Sequence, residues 1–381
     1  MKNKLIPLRF NGSVSSGLIF DRSVHCLTYH KREEVFNKAM QETIYVGLDF
    51  GSSVCQQTVM SGDGVRRFSR SFATSEKSLR TAFDKLEGDV HVHMEAGELA
   101  SWVQSILRPM VAEVVVSHPR SLAWIGKDSV KDDKVDAGKL AELLRLGRVH
   151  EVYCEQDAKR RTFKHLVTHH EQLSREQARQ KSKIKARLRT LGVIRKDAGL
   201  FTNAGQTALL DAIEQPEIKL MITQLFAVLN RMIECEREAR LAMIEYSRRF
   251  PEVRRLQTAP GVGVITACRF VGYLQTPTRF SNKRKLWRYC RLGITRRESN
   301  GKRLSHPRLD NAGVGSLKDV SRKVFEAARR CKGDNAFKRL YEQSLENTKN
   351  AIHARLATQR KILSVMRAMW IANQPYHNIG G

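Results

Sequence analysis

The chain has 381 residues, with 67 Lys and Arg against 39 Asp and Glu and a formal charge of +28. Such an excess of cations repels itself unless a polyanion neutralises it, so nucleic acid is the leading partner class. No apolar run of about 18 residues exists, which excludes a helical bilayer span, and neither a lysine-rich amphipathic anchor nor a lipidation signal supports a membrane-surface role.

Seven cysteines are scattered along the chain without a CxxC pair, which argues against a zinc site and a disulfide framework. A reducing, cytoplasmic setting is expected. Residues 1–39 mix Gly, Ser, Arg and His without periodicity or an apolar core followed by a cleavage site, so they are expected to form a poorly ordered leader, not a signal peptide. Met40, just before the first clear strand, is the expected start of the folded unit and a candidate start of translation.

From Ile44 the pattern turns to short β-type runs. "IYVGLDF" is apolar and β-branched, "SVCQQTVMS" follows a Gly-Ser turn, and "VRRFSRSF" follows "GDG" at 62–64, a strong hairpin signal. A helix at 75–87, a strand at 89–95, a helix at 98–109, a strand at 112–117 and a helix from about 133 to 146 come next. The order β-β-β-α-β-α-β-α predicts a mixed sheet with helices on its faces, ending near residue 150. Residues 155–190 read as a charged helix. Gly192, Gly199, Gly205 and Pro216 read as a break between long helices.

From Ile218 an apolar heptad runs through Met221, Leu225, Val228, Met232, Cys235, Ala239 and Ala242 to Tyr246. That spacing suits a coiled-coil seam, and equally one amphipathic helix packed inside its own domain; Pro251 ends it. The last section opens with "APGVGVITA" at 259–267, passes a basic, Gly-containing loop at 293–315, is helical again over about 316–370, and closes in a tail. The expected domains are a leader at 1–39, a mixed-sheet domain at 40–150, a helical or coiled-coil linker at 151–255, a helical domain at 256–372 and a tail at 373–381. The fold class is α/β plus all-α.

Asp49 and Glu95 each close a predicted strand at its carboxyl end, and in a mixed sheet two such ends can lie side by side over one crevice. "KDDKVDAG" at 131–138 sets Asp133 and Asp136 three apart at a helix start, on one face. Four facing carboxylates repel at neutral pH, and a divalent cation removes the conflict. Oxygen-only ligands suit Mg2+ or Mn2+, and two such ions roughly 3.5–4 Å apart clamp an in-line phosphodiester displacement. Asp133 also makes a favourable partner for a helix N-terminus, the role assigned to Asp132. His91 and His93 alternate onto the face of Glu95 and are read as structural or solvent-facing, not as ligands.

"YVGLDFGSS", "HVHMEAGELASWV" and "KDDKVDAGKLAELLRLGR" resemble, in order and spacing, the catalytic blocks of the DEDD insertion-sequence transposases with an RNase H-like (RuvC-like) domain. The segment from "APGVGVITACRF" through "RRESNGKR" resembles the second domain of that family, and the match runs from about 44 to 330. The resemblance implies an acidic tetrad of Asp49, Glu95, Asp133 and Asp136 that binds the metal, and Ser299 as nucleophile. It implies a recombinase guided by a structured bridge RNA that pairs with donor and target DNA. It further implies a homo-oligomer, dimer or tetramer, with composite active sites, at work in a bacterial cytoplasm on the nucleoid. Gly138 departs from the pattern, where an arginine is common, and so does "RLDNAG" at 308–313, which is less basic than usual.

Ser299 lies among Arg296, Arg297, Lys302 and Arg303. A serine hydroxyl needs activation to attack phosphorus, and arginines can stabilise the charge that develops there; without the resemblance, Ser299 would read as a turn residue in a basic loop. "PGVG" at 260–263 resembles a helix-hairpin-helix turn whose Gly261 and Gly263 let backbone amides approach a phosphate, or else is a tight turn with no ligand. Phe280, Trp287 and Tyr289 read as core residues before base-stacking platforms. No GxxxxGK[ST] loop is present, as expected of transesterification without ATP. The alternatives are a metal-dependent junction-resolving nuclease that needs the tetrad but not the serine, and a non-catalytic RNA- or DNA-binding protein.

Overall fold

The computed structural model describes residues 42–119, 133–194, 198–296, 298–300, 302–303 and 306–377. The expected leader, Asp132, Arg297 and the last four residues of the tail lie outside the described residues. The chain divides into two compact units, Met1–Cys154 and Glu155–Gly381.

In the first unit β1 (Thr43–Phe50) pairs antiparallel with β2 (Val54–Ser61), which pairs antiparallel with β3 (Arg66–Ala73). On its other edge β1 takes β4 (Asp89–Glu95) in parallel, and β4 takes β5 (Glu113–Ser117) in parallel, giving the order β3-β2-β1-β4-β5. Strand alternation sorts the side chains onto two unlike faces. Ile44, Val46, Leu48, Val90, Val92, Met94, Val114 and Val116 form an apolar face buried against α1 (Glu76–Asp84) and α2 (Ala100–Leu107), through Leu79, Phe83, Val103 and Leu107. Ser75 caps α1, its hydroxyl accepting from the Ser78 amide at 3.1 Å, which satisfies one donor the helix cannot pair internally.

The opposite face carries Gly47, Asp49, His93, Glu95 and Ser117 and receives α3 (Asp133–Arg145), whose Ala137, Leu140, Ala141 and Leu144 are buried. Gly47 sets that approach. A Cβ there would lie 1.8 Å from the Ala137 carbonyl oxygen and 2.7 Å from the Ala141 amide, so backbone meets backbone where any side chain would hold the helix off. The mixed sheet with helices on both faces has the architecture of an RNase H-like domain.

In the second unit α4 (Ala158–Thr190) and α6 (Pro216–Ser247) lie side by side and run in opposite directions. His170 meets Glu236 near one end (2.9 Å), and the Gln180 amide reaches the Leu225 carbonyl (3.1 Å) further along. The apolar repeat of α6 therefore has its partner within the chain. Its buried row is Ile222, Phe226, Leu229, Met243 and Ser247, one residue on from the expected seam, and Val228 of that seam is 47% exposed. The expected break between the long helices holds a 3-10 turn (Ala198–Phe201) and α5 (Asn203–Asp211), capped by Thr202. Leu200 and Leu209 of this segment join Ile184, Leu188 and Phe226 in one small core.

Beyond α7 (Pro251–Leu256) and α8 (Val264–Leu274) come α9 (Lys283–Tyr289), two-residue strands β6 (Ile294–Thr295) to β9 (Arg308–Leu309), then α10 (Gly315–Arg330), α11 (Ala336–Thr348) and α12 (Ala351–Ala372). Phe163, Phe250, Phe270, Phe325, Met366 and Trp370 fill the core of this part. A buried ion cluster fastens three helices. The Arg269 guanidinium on α8 lies 2.8 Å from Glu171 on α4 and 2.8 Å from Asp319 on α10, and Tyr273 and Ser316 donate to Glu171 at 2.7 and 2.8 Å. Buried charge is tolerated because each oxygen and most N–H groups have partners.

Candidate active site

Asp49 and Glu95 stand at adjacent strand ends. The parallel register pairs Leu48 with Met94, so the next residues, Asp49 and Glu95, emerge side by side at the carboxyl end of the sheet on the face that α3 covers. Asp136 precedes Ala137, whose carbonyl makes the backbone contact at Gly47. The close crossing thereby brings a third carboxylate to the same sheet end. Burial raises the Glu95 carboxyl above the ordinary carboxylate range, and the charges of Asp49 and then Asp136 raise it further, with His118 acting in the opposite sense. Three acids from three distant segments thus feel one another. Lys139 stands 3.9 Å from the Asp136 carboxylate. Asp133 is the first residue of α3, and its side chain lies outside the described residues. Asp49 opens onto a cleft of about 380 Å3 walled by Phe50, Gly51, Ser52, Ser53 and Gln56.

The donor set fits a hard divalent cation by its chemistry. Oxygen-only carboxylates whose mutual repulsion raises a pKa form a site that a cation would relax. Among the described residues no three His, Cys, Asp or Glu side chains stand close enough to enclose an ion. The three described acids are within electrostatic reach of one another and are not drawn into a coordination shell.

His93 is fully buried between the sheet and α3. Its Nδ1 lies 2.7 Å from the Leu140 carbonyl and its Nε2 2.9 Å from the Ser117 hydroxyl. A carbonyl can only accept, so Nδ1 carries the proton and Nε2 accepts from Ser117. Burial depresses the basicity of His93, opposed by the bond to Leu140. His93 thus ties the strand of Glu95 to the helix of Asp136, and the Ala96 amide donates to the Ser117 carbonyl at 2.8 Å. His91 contacts Glu113 (2.9 Å) and Asp89 (3.3 Å). Both histidines thus make hydrogen bonds within the first unit. Gly47 went unread in the sequence, although a glycine inside an apolar strand signals a close backbone approach. At Gly138 an Arg66 nitrogen of β3 stands 2.7 Å from where a Cβ would sit.

Ser299 lies in β7 (Glu298–Ser299), which pairs with β8 (Lys302–Arg303) as Ser299 to Lys302 and Glu298 to Arg303. Asn300 turns the chain with φ +49. Arg296 is exposed, and the side chains of Ser299, Lys302 and Arg303 lie outside the described residues. Gly261 and Gly263 sit in the turn between α7 and α8. Gly261 has φ +78, and a Cβ there would lie 2.5 Å from Val324 O and Ala328 N of α10, so Gly261 has a packing role; Gly263 faces open space. Phe280 is buried and Trp287 and Tyr289 pack on the core. Asp310 of "RLDNAG" holds Arg288 at 2.8 Å and accepts from the Ala312 amide at 2.8 Å.

A five-stranded mixed sheet with acids at one end, followed by a helical part, is the arrangement of an RNase H-like DEDD domain with a helical partner region. Residues 46–192 match the transposase family model DEDD_Tnp_IS110, and residues 253–342 match the model for transposases of the IS116/IS110/IS902 family. The chain therefore carries transposase domains of the IS110/IS116/IS902 family. No curated protein matches the chain. These domains imply DNA binding and a DNA-cleaving or recombining enzyme that depends on a divalent metal. No helix among the described residues is long and apolar enough to cross a membrane.

Proposed function

We propose that the protein moves its insertion sequence by cutting and rejoining DNA strands under the direction of a structured bridge RNA, with Ser299 as the nucleophile. The observation that supports this reading is geometric: the β1–β4 register sets Asp49 and Glu95 at adjacent strand ends, and the close crossing at Gly47 brings the helix of Asp136 to them. With Asp133 they supply an oxygen-only tetrad for Mg2+ or Mn2+. When bound, the cation neutralises charge on the scissile phosphate and its leaving oxygen.

The protein's own residues divide the rest of the work. Ser299 Oγ attacks phosphorus, the Oγ–P bond forms, the P–O3′ bond breaks, and the departing 3′ oxygen ends with a proton. In the second step a 3′-hydroxyl attacks the seryl phosphate, P–O3′ re-forms on a new strand, and serine regains its proton. The diester energy is conserved, so no nucleotide cofactor is required. Arg296, Arg297, Lys302 and Arg303 would neutralise the phosphate as charge builds in the transition state. The packing of α3 on β1 and β4, through Gly47 and His93, keeps the acids at fixed spacing.

Purified protein with its element's DNA and RNA, denatured after reaction and run on a gel, tests the reading. Wild type should trap a protein–DNA adduct. Ser299→Ala should lose it entirely, and Asp49→Asn should lower its formation by about 100-fold or more. Normal strand exchange by Ser299→Ala would refute the nucleophile, and cleavage without an adduct would favour metal-activated water. Sequencing RNA that copurifies checks the guide: loops complementary to two DNAs are expected, and their absence would remove RNA guidance from the account.

A further inference from the structure

The second unit holds a concave cationic surface apart from the hairpin of Ser299. Asn282 caps α9, its side-chain oxygen accepting from the amides of Arg284 and Lys285 at 3.0 Å each. This fixes two successive exposed cations on the first turn. Arg288, a turn later, pairs with Asp310 at 2.8 Å. From α12, Arg360 donates to the Leu292 carbonyl at 2.8 Å. Together with Arg296 these cations line a cleft of about 800 Å3.

Among its described lining residues are five cations and one carboxylate, and that carboxylate is engaged by Arg288. Arg284, Lys285 and Arg296 make no ion pair with the described residues. Crowded like charges are unfavourable until an anion enters. Lys283 and Arg360 each lie 5.9 Å from the Trp287 ring centroid. Its indole N–H is committed to Arg360 O and Ser364 Oγ, at 3.0 and 2.9 Å. A lining of exposed cations suits phosphates, which carry position and not sequence.

We propose that this cleft binds the sugar–phosphate backbone of the DNA strand that Ser299 attacks, with Arg284, Lys285 and Arg296 on its phosphates. Arg296 lies three residues before Ser299, so the cleft leads along the chain to the nucleophile. The destination of the strand rests on the reading of Ser299; the cleft's affinity for backbone does not.

The test uses full-length protein in EDTA, so that no strand is cut whether or not Ser299 is the nucleophile. Fluorescence anisotropy follows two unrelated single-stranded DNAs and one RNA across a salt series. The double variant Arg284→Gln, Lys285→Gln touches exposed side chains without ion-pair partners and should leave the fold intact, as circular dichroism would verify. It should bind both DNAs about 10-fold more weakly, with a salt slope shallower by about 1.4, from two lost contacts at roughly 0.7 each. Lys77→Gln with Lys332→Gln, the same charge change at exposed sites elsewhere, should change binding far less. Unchanged affinity and slope, an equal loss in that control, or a loss on one DNA sequence alone would overturn the proposal. A loss confined to RNA would overturn the assignment to the attacked DNA strand, whereas a loss on DNA and RNA alike supports a backbone site.

Discussion

Gly47 allows the α3 backbone to touch the sheet, and the distance between Asp136 and the strand-end acids follows from that contact. A valine there has to displace the helix, because the obstructing atoms are the Ala137 carbonyl and the Ala141 amide. Gly47→Val is predicted to cost about 1–3 kcal/mol or more by overpacking and to abolish DNA cleavage even where the variant folds. Urea denaturation with a cleavage assay checks both, and wild-type activity in a folded Gly47→Val protein would contradict the positioning argument. His93 holds the same interface by two buried hydrogen bonds. Its removal in His93→Ala leaves the buried Ser117 hydroxyl without this partner and takes one of two from the Leu140 carbonyl, which should destabilise by about 1–3 kcal/mol. A stability unchanged in urea titration would show that water or repacking replaces them. The acids themselves were legible from sequence because each falls at a strand end or helix start. Gly47 was not, since its role depends on which helix crosses β1, and nothing local to "YVGLD" specifies that.

At the scale of elements, strand alternation made the sheet readable almost to the residue, whereas the helical half was readable only in outline. In "IYVGLDF" and "DVHVHME" every second residue is apolar, and a period of two leaves little freedom of register. Helix α6 instead carries apolar residues on two neighbouring rows, Met221 and Leu225 beside Ile222 and Phe226. Only the partner α4 decides which row is buried, and α5 was hidden because its glycines resembled a break. The ion cluster joining α4, α8 and α10 was equally invisible, since Glu171, Arg269 and Asp319 are remote in sequence. Burial pushes the Asp319 carboxyl up, but hydrogen bonds from Arg269 and Arg322 and the charge of Lys323 outweigh it and bring it from 3.8 to about 2. A lowered folded pKa gives stability that is present above the unfolded value near 3.8 and is lost as pH falls through about 2. For this partly exposed group the contribution is of order 1 kcal/mol after screening. Other acids titrate in the same window, so the readout is a difference: wild type should lose more stability than Asp319→Asn between pH 4 and pH 2. Parallel pH curves would contradict the linkage.

For the whole molecule, a charge of +28 is a standing statement about polyanions. It makes binding to nucleic acid steep in salt and cannot by itself select a reaction. The reaction proposed above rests instead on the acids at the carboxyl end of β1 and β4 and the start of α3. The most direct measurement is Mn2+ binding to the full-length protein, followed by electron paramagnetic resonance, for wild type and for Asp49→Asn, Glu95→Gln and Asp136→Asn. If these side chains form one site, wild type binds Mn2+ and each amide substitution weakens binding about 10-fold or more, since each removes a charged ligand from the same ion. Mn2+ binding that is indifferent to all three substitutions would contradict the account at its centre.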